Sequence, residues 1–275
     1  MRLNRPLIPA AILATALFAT PAFADDVPLA PHRAVYDMKL ADTDNGSVED
    51  ITGRLVFEIT GNECEGYVMN TRFVLNTALE SRTILNDFQS STWEDPKESA
   101  FRFISKDYVD NELSEETNGT AAKERNTVQV SFTVPEEKTV ELKGDALFPV
   151  QHIQKLIRAA RKGETVFQSP LYDGTDGGEK IYNTTAIIGA PFAADVFRGK
   201  STPADGVVKT SERWPVVMSY FDDTSENADD GLPIYQMAFE LYDNGITRSL
   251  TLDYGDFKLD GQMSQFEMLE PSKCE

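Results

Sequence analysis

The sequence predicts an all-β protein, an antiparallel meander with one amphipathic helix packed in or on it. Three observations predict this. Runs with strand-like alternation, or rich in β-branched and aromatic residues, recur at 33–40, 51–59, 66–76, 81–92, 100–109 and 127–134, and again at 164–172, 180–189, 214–221, 233–242, 247–252 and 256–269. Clusters such as Asp44-Asn45-Gly46, Thr60-Gly61-Asn62 and Glu94-Asp95-Pro96 separate these runs and suit the backbone angles of tight turns. Only residues 149–162 show a convincing helical period.

At the N-terminus, Arg2 and Arg5 precede an apolar run of about thirteen residues, short of the roughly 20 needed to span a bilayer. Ala22-Phe23-Ala24 then offers a signal-peptidase site directly before Asp25-Asp26. Residues 1–24 are therefore expected to be a cleaved signal peptide, and 25–275 a single exported β domain in the periplasm. No cysteine follows the site to carry a lipid, and the two arginines are not adjacent, so neither lipoprotein nor twin-arginine export is indicated. Removal of 1–24 shortens the chain from 275 to 251 residues and takes away two arginines but no acid, moving the formal charge from −19 to −21. Such a chain repels nucleic acid, and it repels an anionic lipid surface unless its few cations cluster on one face.

Cys64 and Cys274 are the only cysteines. In an oxidising compartment they are expected to pair, tying the tail to an early strand. They lack the Cys-x-x-Cys spacing of a redox pair, so the bond reads as structural.

In the helix, Pro149 suits the first turn, Val150, Ile153, Leu156, Ile157 and Ala160 form an apolar stripe, and Gly163 caps the end. Lys155, Arg158, Arg161 and Lys162 make the densest positive cluster of the chain. These cations complement the negative end of the helix dipole, and they are also a candidate surface for docking another periplasmic protein. Two long connections, 191–213 and 222–230, are expected to be mobile, and no repeat of fixed period is visible.

Catalytic signals are sparse. The two histidines, His32 near the mature N-terminus and His152 in the helix, lie in no metal-ligand spacing, and His152 reads as an interfacial or core residue. No nucleophile elbow, Ser-x-x-Lys or phosphate loop occurs. The acidic stretches 42–46 and 173–179 have carboxylates around glycines but not the EF-hand order, and hairpin turns account for both. No metal, cofactor or catalytic residue is assigned. Paired carboxylates of the kind that hydrolyse glycosides leave no sequence trace, so a periplasmic hydrolase stays as a minor alternative. Aromatic residues fall in nearly every strand, from Tyr36 to Phe257. They either fill a curved sheet as core or line an apolar trough for an acyl chain or an extended peptide.

Several phrases in one order carry a resemblance: Ala30-Pro31-His32-Arg33-Ala34-Val35-Tyr36, Cys64-Glu65-Gly66-Tyr67, Leu147-Phe148-Pro149, Tyr172-Asp173-Gly174, Trp214-Pro215-Val216, Leu241-Tyr242-Asp243-Asn244-Gly245 and Leu252-Asp253-Tyr254-Gly255-Asp256-Phe257. Together with Cys274 they resemble the EipB family of bacterial cell-envelope integrity proteins, over essentially the whole mature chain. The resemblance implies a long antiparallel sheet wound into a β-spiral or unclosed barrel, filled by the 149–162 helix and closed by the Cys64–Cys274 disulfide. It implies a non-enzymatic periplasmic protein of Gram-negative bacteria. An envelope lipid, a lipoprotein or an extended peptide would bind on the curved sheet; the alternative is a structural adaptor that docks an envelope protein through the basic helix or a sheet edge. The 191–213 segment has no counterpart among the family phrases.

Overall fold

The computed structural model describes residues 27–44, 46–97, 99–192, 201–222 and 231–274. The expected signal peptide lies outside them, as do 193–200 and 223–230 of the two long connections.

Fourteen strands form one sheet among the described residues. The chain enters at the middle of the sheet and walks to one edge through β1 (His32–Thr43), β2 (Val48–Asn62), β3 (Gly66–Leu79), β4 (Thr83–Glu94), β5 (Ala100–Val109), β6 (Glu112–Glu124), β7 (Thr127–Val134) and β8 (Lys138–Lys143). Helix α1 (Pro149–Arg161) crosses to the other edge. The chain returns through β9 (Val166–Leu171), β10 (Tyr182–Ile188), β11 (Arg213–Phe221), β12 (Tyr235–Tyr242), β13 (Thr247–Asp253) and β14 (Phe257–Met268). The last strand pairs with the first, so the order is β8 to β1, then β14 down to β9, every neighbour antiparallel.

Twelve of these strands were predicted, and β6 and β8 were not. The β6 sequence, ELSEETNGTAAKE, is rich in residues that disfavour strands. It becomes one because β5 and β7 present ladders on both sides. The six residues of β8 are too few to stand out as a pattern.

Sheet twist coils so long a ribbon on itself. The two edges do not pair; they approach, with Leu147 after β8 bridging Leu171 at the end of β9. Between them Phe101 and Phe103 of β5 stack with one another, and both set their rings against Tyr172. The Asp-Gly-Thr-Asp-Gly-Gly turn read from the sequence is the other half of this seam. Gly174 and Gly178 hold φ of 74° and 71°, and a Cβ on Gly174 would meet the Phe103 ring at 2.6 Å. The glycines thus let a turn lie flat on an aromatic ring. Asp173 closes that turn by accepting from the Thr175 amide and hydroxyl, at 3.0 and 2.7 Å.

Alternation along each strand separates an inner from an outer face. Inner residues grade from sealed to wet along the barrel axis. Trp214, Val216 and Met218 of β11 are 2%, 1% and 6% exposed, and the next inner residue, Tyr220, is half-buried. On β13, Leu252 is 3% exposed and the following inner ring, Tyr254, is 36%. Phe101, Phe103, Ser105 and Asp107 of β5 follow the same gradient. The spiral therefore has a closed end, where α1 sits, and an open mouth.

At the closed end the expected disulfide forms, with Cys64 in the β2–β3 turn and Cys274 in the tail, Cα atoms 5.7 Å apart. Part of the 191–213 connection, expected to be mobile, is instead packed there. Ala204 and Val208 are fully buried, and Asp205 accepts from Arg248 at 3.1 Å and from the Thr202 hydroxyl at 2.6 Å.

Candidate functional site in the lumen

Helix α1 closes one end of the lumen because its N-terminus is held by a distant carboxylate. Phe148 at the N-cap has no side-chain oxygen, and no acid lies in the first turn. Glu94 of β4, 3% exposed, reaches across instead and accepts from the amides of Val150 and Gln151 at 2.7 and 2.9 Å. A buried carboxylate is costly in isolation, and here it meets the positive end of the helix dipole and two orphan N–H groups. Lys123 donates to the Gln151 side chain, and Gln154 to the Val27 carbonyl at 3.0 Å. The helix is buried on more than its apolar stripe, with Gln151, His152 and Gln154 also inside.

His152 is a core histidine with an assignable tautomer. The Thr184 hydroxyl donates to the Ser169 carbonyl at 2.7 Å, so its oxygen accepts from His152 Nε2 at 2.7 Å. The ring thus carries its proton on Nε2 in the neutral form. Burial, helped by Lys155 nearby, lowers its pKa to about 4, so it is neutral near pH 7. His32 is buried too, 1% exposed, between the Phe57 and Phe266 rings, and its Nδ1 donates to the Ala30 carbonyl at 2.7 Å.

Beyond the helix the lumen is not filled. A cavity of about 220 Å³ lies between α1 and the inner faces of β1, β2, β11, β12 and β13. Leu55, Phe57, Met218, Met237, Phe239 and Leu250 make most of its wall. Its polar edges are satisfied within the protein: Tyr36 donates to the Thr247 carbonyl at 2.9 Å, and His152 is held by Thr184. A wall of this kind binds by shape and apolar contact and offers no charged anchor.

Tyr220 belongs to this wall and also begins a ladder of rings toward the mouth. Centroid distances run 5.3 Å from Tyr220 of β11 to Tyr235 of β12, 5.0 Å on to Tyr254 just past β13 and 4.9 Å on to Phe257 of β14. Tyr182 joins from the other side at 6.4 Å. Burial raises the phenol pKa values, that of Tyr254 to about 12, so the ladder is uncharged. Phe73 and Leu75 of β3 are partly buried against the same core. The aromatic residues are thus packed core at the closed end and partly buried rings toward the mouth.

The mouth itself is acidic. Asp176 accepts from the Tyr182 hydroxyl at 2.5 Å. Burial raises the Asp107 pKa, and the charges of Glu115 and Asp176 add to the shift, placing three carboxylates near one another. This is the closest approach to the paired carboxylates considered for a hydrolase. Glu115 and Asp176 are solvent-exposed at the rim, so no dry cleft surrounds them.

The basic helix residues do not make one free face. Lys155 and Arg158 are half-buried, while Arg161 and Lys162 are exposed, Arg161 donating to the Asp243 carbonyl at 3.1 Å. Among the described residues no three metal-ligating side chains come together, and no helix is long and apolar enough to cross a membrane.

A family model described as EipB-like matches residues 23–270. The cell envelope integrity protein EipB of Brucella abortus is 38% identical over 252 residues, covering 91% of this chain and 88% of its own. A crystal structure of a β-barrel-like protein of a domain of unknown function, also from Brucella abortus, superposes with a TM-score of 0.82 at 36% identity. That match covers 89% of this chain and all of the other.

Proposed function

The chain belongs to the EipB-like family, and from that premise we propose that it is a periplasmic, non-enzymatic factor that maintains the cell envelope by holding an apolar chain in its lumen. A lipid, the acyl part of a lipoprotein or an apolar extended peptide supplies such a chain. The observation that carries the reading is the unfilled apolar cavity of about 220 Å³, which continues into a ladder of aromatic rings at an open mouth. Natural cores are close-packed, so an unfilled, apolar volume that leads outward is a place for a guest. The name of the Brucella relative supports the envelope role. The adaptor reading finds less support, because two of the four helix cations are half-buried and a third is held by a carbonyl.

The test is native purification from a periplasmic extract followed by mass spectrometry of whatever travels with the protein. A stoichiometric lipid or apolar peptide is expected with the natural protein and is absent from Met237→Trp, in which an indole occupies the cavity. An empty natural protein, in cells whose detergent resistance does not depend on it, defeats the proposal.

A further inference from the structure

Resting on the lumen reading, we infer from the cavity and the character of its mouth that the occupant is an amine-bearing single-chain lipid: a straight alkyl chain with a cationic head, not an anionic one. The cavity bounds the chain. A volume of about 220 Å³ walled by apolar side chains takes a stretch of alkyl chain. The rest of a longer chain has the ring ladder to lie against.

The mouth selects the head. The lumen wall offers no cation for an anionic group to meet, and His152 is neutral there and already bonded to Thr184. At the rim the turns and the strand end beside them carry Asp110, Glu112, Glu115, Glu136, Glu137 and Asp176. The rim also has the cations Arg82, Lys138, Lys180 and Lys258. Three of these are paired: Lys138 with Glu179 at 2.5 Å, Lys180 with Asp222 at 3.0 Å and Lys258 with Asp253 at 3.0 Å. A negative rim repels phosphate or sulfate. Tyrosine faces add to the preference, because an aromatic ring attracts an ammonium group laid over it. One rim carboxylate reaches the rings directly, since Asp176 accepts from Tyr182 and Tyr182 packs on Tyr220 of the cavity wall.

The experiment titrates the natural protein by calorimetry with three probes of one chain length, below their micelle concentrations: decyltrimethylammonium, decyl maltoside and decyl sulfate. The expected order is trimethylammonium tightest, maltoside weaker and sulfate weakest. Three variants separate selection at the mouth from general attraction to an acidic protein. Met237→Trp, with Met237→Phe as the gentler version should the first melt early, abolishes binding of all three. Asp107→Asn/Glu115→Gln lowers the affinity of the trimethylammonium probe roughly fivefold. The same charge change at the closed end, Glu267→Gln/Glu270→Gln, leaves it unchanged. Sulfate binding as tightly as trimethylammonium overturns the inference and leaves the lumen reading standing. Trimethylammonium binding that survives the filled cavity also overturns it, as surface attraction. Binding of an apolar peptide but of none of the three probes overturns it in favour of a peptide guest. Failure of every probe, peptide included, overturns both.

Discussion

At the level of single residues, His152 carries a stability signature that can be measured. Its pKa falls from an ordinary 6.5 to about 4 on folding because the ring is buried. The unfolded chain therefore binds a proton that the folded one refuses, between those two values, and stability is complete above about pH 6.5 and declines as the pH drops toward 4. Two and a half units correspond to roughly 3 kcal/mol at the acid end of that window. His152→Gln keeps a donor for Thr184 and removes the titration. Urea melts of the variant should show a flatter dependence of stability on pH between 6.5 and 4, and a slope equal to that of the natural protein would refute the assignment. Asp205 adds to acid sensitivity at lower pH. Burial raises its pKa, but hydrogen bonds from Arg248 and Thr202 outweigh that and bring it well below the carboxylate range. Its contribution is present above the ordinary carboxylate pKa and is lost as the pH falls further.

At the level of elements, the helix shows what a sequence can and cannot disclose. The 3.6-residue apolar stripe, the early proline and the following glycine were enough to place α1 within one residue of its end. Its anchor was not visible, because Glu94 stands 56 positions from Val150 and reads locally as part of a turn. Replacing Glu94 by Gln puts an amide group against two helix amides where two acceptor oxygens stood. The expected loss is about 1–3 kcal/mol, the cost of leaving buried donors unsatisfied. Thermal melting checks it, and amide exchange in the first turn of α1 should quicken by a larger factor than in β3. Strands were legible in the same uneven way. Alternation in β1, β5 and β11 announced them, whereas β6 is a strand only because its neighbours require one. The positive cluster at Lys155, Arg158, Arg161 and Lys162 was also legible as a helix face. How far the sheet would bury two of its members was not, since that depends on how the closed end wraps around α1.

At the level of the whole molecule, one pairing decides whether a lumen exists. β1 and β14 stand at opposite ends of the sequence, and their ladder joins two separate meanders into one coil. Nothing local in either strand specifies that meeting. For the same reason the sequence showed a supply of aromatic rings but not which would line a cavity. The disulfide acts on this same joint, because it fastens the tail just past β14 to the β2–β3 turn, beside β1, across 210 positions. In the chain-entropy model a loop of that length restricts the unfolded ensemble by about 5 kcal/mol. The Cys64→Ser/Cys274→Ser protein should therefore melt well below the natural one under oxidising conditions, and dithiothreitol should lower the natural melting temperature while leaving the variant's unchanged. If the bond only guards the folded chain against opening, the reduced protein at low temperature still binds its lumen guest with unaltered affinity. Should affinity fall with reduction while the fold remains intact by circular dichroism, the staple has a second task. In that case the β1–β14 joint sets the width of the lumen as well as its existence, and the redox state of the surroundings reaches the guest through the shape of the coil.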